Sequence, residues 1–500
     1  MNKIRILQIG GEDLHKECHL PGYVLLDFLP KLESVPKKEY ELLLLCHVPN
    51  STEMAVLEEI AVPYRFYVLD DVPKEGEFLR LFRKKKGSIC KRAELAHFLS
   101  EDARFFFSKP YGEKYSLNQL SISKDFNGEI LWNGNVNVSL SGDFGEEFSQ
   151  IAFFRGYVPI EEEQMLDYWP EYEKEGNVTI RLQIRKITMG TVDRIEKTWV
   201  FEEEQMAEVL QLDNRGGRGL LSVSLLAKGK GTLKIRGLHD RYSRKNYGYF
   251  LPGGQRIALP NREEIFYYYD PGDLKPPLNV YFSGYRTQEG FEGYYMLKRM
   301  GAPFLLLTDP RLEGGSFYLG DRQYEETIVK IIKDTMDELD FLPSDVVMSG
   351  LSMGTFGALY YGCILRPHAV IMGKPLVSLG DIAKNEKLLR PHGFPTSLDV
   401  LLAQSGTADE AAATKLSEKI WYKIENSHLG DTRFIVSYML EDDYDADAYR
   451  QLISRISSIG GEVYGKGLHG RHNDNTQGIL EWFLQRYYDV LETDFHRKAE

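Results

Sequence analysis

Cysteine is scarce in this chain: Cys18, Cys46, Cys90 and Cys363 are the only four in 500 residues. They are widely spaced and form no C-x-x-C pair, which speaks against a zinc ribbon or a thioredoxin-like redox site. Cys46 and Cys363 lie in apolar runs, so buried free thiols and a reducing cytosol are expected. Long hydrophobic runs are missing too. No stretch approaches the roughly 18 apolar residues of a membrane helix, and residues 1–11 read as a short strand without the apolar core of a signal peptide. A cytoplasmic protein without a membrane span is therefore expected. Positive charge is not in excess. Lys and Arg total 61 against 74 Asp and Glu, a net charge of −13, which argues against nucleic acid as the main partner. Gly10-Gly11 follows the first apolar run, but no G-x-G-x-x-G fingerprint accompanies it, so no dinucleotide cofactor is expected. No metal-binding cluster, sequence repeat or low-complexity tract stands out.

Enough apolar residues are present for sizeable cores: 43% of the chain is hydrophobic and 12% aromatic. A chain of this length predicts two to four domains, and three textures are visible. Residues 1–115 alternate strand-like runs (Lys3–Ile9, Glu41–Cys46, Tyr64–Leu69) with a helical stretch at Thr52–Ile60, as in a small α/β layer domain. One basic run, Arg83-Lys84-Lys85-Lys86 with Lys91 and Arg92, reads as a solvated helix face, the alternative being a docking surface for an acidic partner or lipid headgroup. Residues 116–260 are rich in short alternating runs such as Asn177–Arg185, Leu220–Leu226 and Thr232–Ile235. Turn signals separate them, as in a β-sandwich-like domain. Trp132, Tyr157 and Trp199 in this region are expected to pack into its core, with a sugar-stacking surface as the other reading. From 261 to 500 the rhythm is strand, helix, strand, which implies a parallel sheet covered on both faces. Its ligands should bind at the carboxyl ends of the strands.

One stretch of that last region carries chemistry. Asp345–Ser349 reads as a buried strand, Thr355–Leu365 as a buried helix ended by Pro367, and Gly350-Leu351-Ser352-Met353-Gly354 joins them. A G-x-S-x-G turn alone is common in a glycine-rich chain, but between strand and helix it is the nucleophile elbow. The α/β-hydrolase order then requires an acid and a histidine downstream. The strand Arg433–Met439 runs into Glu441-Asp442-Asp443, and the last strand runs into His469-Gly470-Arg471-His472. Asp442 and His472 are the expected partners of Ser352. Glu441 and Asp443 remain open as the acid, and His469 as the base. The oxyanion donors expected are the Met353 amide and, after the strand Leu278–Phe282, the backbone of Gly284 or Tyr285. Arg286 is a candidate for binding an anionic group of a donor. The segment Gly373–Gly430, with Pro375, Pro391 and Pro395, is a candidate lid.

Taken with the opening Ile6-Leu7-Gln8-Ile9-Gly10-Gly11 and the chain length, the elbow Gly350–Ala358, Asp442 and His472 resemble the second accessory secretory protein family of the bacterial accessory Sec system. The resemblance covers the whole chain. It implies a role in exporting serine-rich repeat glycoprotein adhesins and O-acetylation of their N-acetylglucosamine, with Ser352, Asp442 and His472 carrying the acyl transfer. The partners implied are the other accessory Sec proteins, the accessory motor ATPase and the glycosylated adhesin, with peripheral association at the translocon. No bound cofactor is implied. Acetyl-CoA is a donor compatible with the cytosol, although no CoA-binding signature is present.

Overall fold

The computed structural model describes residues 3–388 and 394–497. Three sheets organise the chain. The first is five-stranded and wholly parallel, built from β1 (Ile4–Ile9), β2 (Val24–Leu29), β3 (Leu42–Leu45), β4 (Phe66–Leu69) and β5 (Ser88–Cys90). Their order is β2-β1-β3-β4-β5. Runs such as Leu42–Leu45 are apolar at every position because a covered parallel sheet buries both faces. Helix α1 (Ser51–Ile60) starts at a capping box in which the Asn50 side chain accepts from the Thr52 and Glu53 amides and Glu53 reaches back to the Asn50 amide. The basic run lies on and after α2 (Gly76–Lys84). It is laced with acids: Lys84 pairs with Glu58, Lys86 with Glu338, Lys91 with Glu94 and Arg92 with Asp71. The four cysteines are free thiols, and Cys46, Cys90 and Cys363 are buried.

The second sheet departs from the expected series of short strands. Hydrogen bonding is continuous through nine antiparallel strands, and three of them are long: β6 (Asn137–Phe154), β7 (Met165–Thr188) and β8 (Gly219–Tyr242). Leu220–Leu226 and Thr232–Ile235, which read as two strands, are both within β8. No turn separates them; Gly229 lies at a break in register against β6. Gly229 has φ +95°, and a methyl group there would lie 1.9 Å from the Asn177 carbonyl oxygen of the neighbouring strand. Val178, Ile180, Leu182 and Ile184 alternate inward along β7 as expected and join Val223, Leu225 and Leu233 in one core. Trp199 is half-buried against that core. Trp132 and Tyr157 are instead exposed, at 47% and 56%.

The third sheet holds β9 (Gln255–Ala258), β10 (Glu264–Asp270), β11 (Leu278–Phe282), β12 (Phe304–Thr308), β13 (Val346–Leu351), β14 (Ala369–Gly373), β15 (Arg433–Met439) and β16 (Glu462–Leu468). They lie in the order β9-β10-β12-β11-β13-β14-β15-β16. All neighbours are parallel except at β10, which is antiparallel to both β9 and β12. This is the α/β-hydrolase arrangement, with the elbow after the fifth strand. The sheet begins at Gln255, so its first hairpin straddles the break expected at 261. Helices α3 (Arg322–Leu339), α4 (Met353–Leu365), α5 (Leu379–Leu388), α6 (Thr396–Ser405), α7 (Glu410–Glu425), α8 (Ala448–Ser458) and α9 (Thr476–Thr493) belong to this unit. The candidate lid is largely the three packed helices α5, α6 and α7. Pro391 lies outside the described residues.

A buried charge cluster fastens the second sheet to the third. Arg241 of β8 donates to both carboxylate oxygens of Glu264 on β10, at 3.0 and 2.6 Å, and to Glu289 in the loop after β11. His239 also contacts Glu289. All four side chains are buried. Burial alone would raise the Glu289 carboxyl, but Arg241 and His239 hold it down to about 2. Removing one member of such a cluster strands the others in a low-dielectric interior. Arg241→Ala is expected to lower stability by about 3–5 kcal/mol, read as a fall in the urea midpoint at pH 7. The stability from Glu289 is complete above its ordinary 4.5 and is lost as the pH falls toward 2. The variant should therefore show a shallower loss of stability on acidification than the native chain. A variant with the native midpoint would show that the cluster does not fasten the sheets.

Candidate active site

The site lies where the third sheet's strands end. β13 delivers Ser352 at φ 51°, ψ −120°, a strained conformation for a residue with a side chain, and α4 begins at the next residue. The glycines of the motif are required by contact. A methyl group at Gly350 would come 2.4 Å from the Gly354 backbone, and one at Gly354 would come 2.0 Å from the Phe282 carbonyl oxygen. The first turn of α4 thus rests directly on the end of β11. The Ser352 amide is tied to the Gly373 carbonyl of β14 at 2.8 Å.

Ser352, His472 and Asp442, far apart in sequence, are brought into one hydrogen-bonded chain. The Ser352 hydroxyl oxygen lies 2.9 Å from His472 Nε2, and His472 Nδ1 lies 2.8 Å from Asp442 Oδ2. A carboxylate at Nδ1 makes that nitrogen the donor and leaves Nε2 to accept from the serine hydroxyl. His472 and Asp442 are buried, at 2% and 8% exposure. Burial would raise the Asp442 carboxyl, but the bond from His472 and the amides of Asp445 and Tyr444 hold it below its usual value.

The other candidates from the two loops take different tasks. Asp443 accepts the His472 backbone N–H at 3.0 Å, and so sets the histidine's main chain rather than its ring. Glu441 accepts from the Gly470 amide at 2.6 Å and pairs with His469 at 2.9 Å. That pair is exposed, and the His469 side chain is 87% accessible. The Arg286 guanidinium bonds the Gln288 carbonyl, beside a cavity of about 190 Å³ that Arg286 and Gly284 both line.

The two loop donors expected after β11 separate in the structure. The Gly284 N–H donates to Glu292 Oε2 at 2.7 Å and is therefore not available to a substrate. The Ser283 amide donates to Leu307, and the Arg286 amide to Gly314. The Tyr285 amide has no hydrogen-bond partner among the described residues. Met353 is the first residue of α4, where backbone N–H groups have no partner within the helix. Tyr285 and Met353 are thus the amides free to face an oxyanion.

Several contacts are not legible from motifs. The Tyr444 ring stacks on His472 with centroids 4.3 Å apart, Phe394 stacks on Tyr444, and Tyr285 packs its edge against Phe394. These rings wall one side of the histidine. Lys374, buried and left-handed at φ +56°, sits just past β14 and donates to the Thr476 hydroxyl at the start of α9. Burial draws its ammonium below the ordinary lysine value, opposed by Asp442 and Asp474. Tyr444 directly follows the acidic triplet and Lys374 the strand end, so position relative to a predicted strand was the only signal for either.

Comparison with known proteins agrees with the whole-chain resemblance. The chain is 37% identical over 516 aligned positions to an accessory Sec system protein of Staphylococcus aureus, covering 99% of this chain and 98% of that one. It is 35% identical to an accessory Sec system protein of Streptococcus gordonii, with 99% of both chains covered. Among solved structures it superposes on a chain of a glycosylation associate protein complex from Streptococcus agalactiae with a TM-score of 0.89, at 36% identity and 99% coverage of each. The family profile described as accessory Sec system GspB-transporter matches residues 4–497, and the chain belongs to that family.

Proposed function

We propose that this protein is an accessory Sec component that also works as a serine acyltransferase, acetylating N-acetylglucosamine on a serine-rich repeat glycoprotein as that adhesin is exported. The observation that carries the catalytic part is the chain Ser352–His472–Asp442, closed at 2.9 and 2.8 Å on an α/β-hydrolase sheet. In this reading His472 Nε2 takes the Ser352 proton as the serine oxygen attacks an acetyl carbonyl. The Tyr285 and Met353 amides receive the oxyanion. The donor's leaving group departs with the proton from His472, and an acetyl-serine remains. A sugar hydroxyl then attacks that ester and gives its proton to His472, which returns it to the departing Ser352 oxygen as the acetylated sugar leaves. The donor class is an acetyl ester or thioester, and acetyl-CoA is the cytosolic thioester that fits. Transfer requires that water be kept from the acetyl-serine; the Tyr444 and Phe394 rings serve that end.

The partners in this reading are other accessory Sec proteins, the accessory motor ATPase and the glycosylated adhesin. Assembly occurs in the cytoplasm or peripherally at the membrane. No helix among the described residues is long and apolar enough to cross a membrane.

A chromogenic acetyl ester tests the chemistry. Release by the purified protein is expected to vanish in Ser352→Ala, and added N-acetylglucosamine should appear as the acetyl-sugar by mass spectrometry. Release without acetyl-sugar would make the protein a hydrolase, and release that survives Ser352→Ala would remove the serine from the reaction. Asp442→Asn should lower kcat by up to about 10⁴-fold, as loss of the orienting acid does in other triads, whereas Glu441→Gln should leave it close to native. Equal losses in the two variants would count against Asp442. In cells, Ser352→Ala is expected to export the adhesin normally but without acetyl groups. Failed export by a folded variant would show that the two tasks are not separable.

A further inference from the structure

The acyl-transfer reading leaves open what holds the Tyr285 amide toward the nucleophile. Tyr285 belongs to no helix or strand, so its N–H direction is set by the peptide groups around it. The preceding peptide, Ser283–Gly284, is fixed at both ends. Its carbonyl accepts from the Tyr318 hydroxyl at 2.8 Å, and its N–H donates to Glu292 Oε2 at 2.7 Å.

Glu292 is itself held in place. Its backbone N–H donates to the Ser283 hydroxyl at 3.3 Å. The buried Tyr281 side chain lies beside its carboxyl. Gly293, at φ +83°, lets the chain run against the Tyr281 ring, where a methyl group would lie 3.1 Å from the ring carbon. The fixed peptide in turn abuts the elbow: a methyl group at Gly284 would lie 3.0 Å from the Leu351 carbonyl oxygen, one residue before Ser352. A side chain at this position would thus crowd the elbow, and the bonds to Glu292 and Tyr318 oppose rotation of the peptide.

We infer that Glu292 is a positioning residue of the oxyanion hole: by accepting the Gly284 N–H, with Tyr318 on the paired carbonyl, it turns the following Tyr285 N–H to the substrate's carbonyl oxygen. This inference rests on the acyl-transfer reading and adds to it a residue that does not touch the reacting atoms. Without the acceptor, the Gly284 amide is free to rotate and the Tyr285 amide is no longer pre-aimed. The loss should fall on the transition state, where charge collects on the oxygen, and not on ground-state binding.

The test uses the full-length chain and p-nitrophenyl acetate, with kcat and KM measured for the native protein, Glu292→Ala, Glu292→Gln and Tyr318→Phe, and thermal melting as the check on folding. Glu292→Ala is expected to lower kcat by about 10-fold or more, below the 10²–10³ seen when a donor is deleted outright, with KM within about twofold. Glu292→Gln keeps an oxygen acceptor for the Gly284 N–H and should restore kcat to within about threefold of native. Tyr318→Phe should lower kcat with KM held, in the same direction as Glu292→Ala. Native kcat in Glu292→Ala overturns the inference, as do equal losses in Glu292→Ala and Glu292→Gln. If Glu292→Ala fails to fold, Tyr318→Phe decides: native kcat in that variant also overturns it. Absence of Ser352-dependent release in the native protein is a different outcome, because it removes the acyl-transfer reading itself.

Discussion

The site depends on one close contact, the first turn of α4 against the end of β11. Gly354 is so near the Phe282 carbonyl oxygen that a methyl group would sit 2.0 Å away. No other residue type permits that approach without moving a strand. The contact has two consequences. It forces the β13–α4 turn to be tight, which puts Ser352 at φ 51° and lifts its side chain clear of the helix. It also brings the helix start and the backbone of Phe282 and Ser283 side by side. Strain at one residue is tolerable there because the surroundings over-determine it: the Ser352 amide is bonded to Gly373, and its carbonyl accepts from the Thr355 amide and hydroxyl.

The buried cluster around Arg241 extends that geometry beyond the hydrolase unit. Glu289, which Arg241 and His239 hold, lies three residues before Glu292, which holds the oxyanion loop. The short segment Glu289–Glu292 is thus gripped at one end by the second sheet and at the other by the active-site loop. The β8 strand of the antiparallel sheet thus buttresses the loop after β11 as well as neighbouring it. The same sheet touches the site region elsewhere: the Asn135 amide and side chain both bond Asp399 of α6, at 2.9 and 3.2 Å. Two separate points of the second sheet and its turns therefore meet the third unit, one at the loop after β11 and one at α6.

The sequence was most legible where physics leaves little choice. Parallel strands covered on both faces must be continuous apolar runs, so Leu278–Phe282, Phe304–Thr308 and Arg433–Met439 are strands with the bounds expected. The chain order of serine, acid and histidine followed from those strand ends. The acidic triplet could not be resolved from composition, since three adjacent carboxylates differ only in direction. The turn after β15 sends Asp442 to the imidazole, Asp443 to the main chain of His472 and Glu441 to the surface. The second sheet was least legible. A glycine in the middle of a 24-residue strand carries the same signal as a glycine in a turn, and only the break in register against β6 shows that Gly229 is a bulge. Gly284 was indistinct for a similar reason: an amide looks free until its acceptor, eight residues on, is placed.

Tyr285 joins two requirements of acyl transfer. Its backbone amide is unpaired among the described residues, while its ring packs edge-on against Phe394 at 5.3 Å. Phe394 stacks on Tyr444, and Tyr444 on His472. A displacement of Phe394 would therefore act on the Tyr285 ring and on the stack against His472. In the proposed acyl transfer, the wall that would exclude water and the amide that would stabilise the oxyanion are thereby mechanically joined. Opening the wall to admit an acceptor sugar should loosen the oxyanion hole, and closing it should restore the hole. Such coupling would confine full stabilisation of the oxyanion to the state in which water is excluded, which is the condition that favours transfer over hydrolysis.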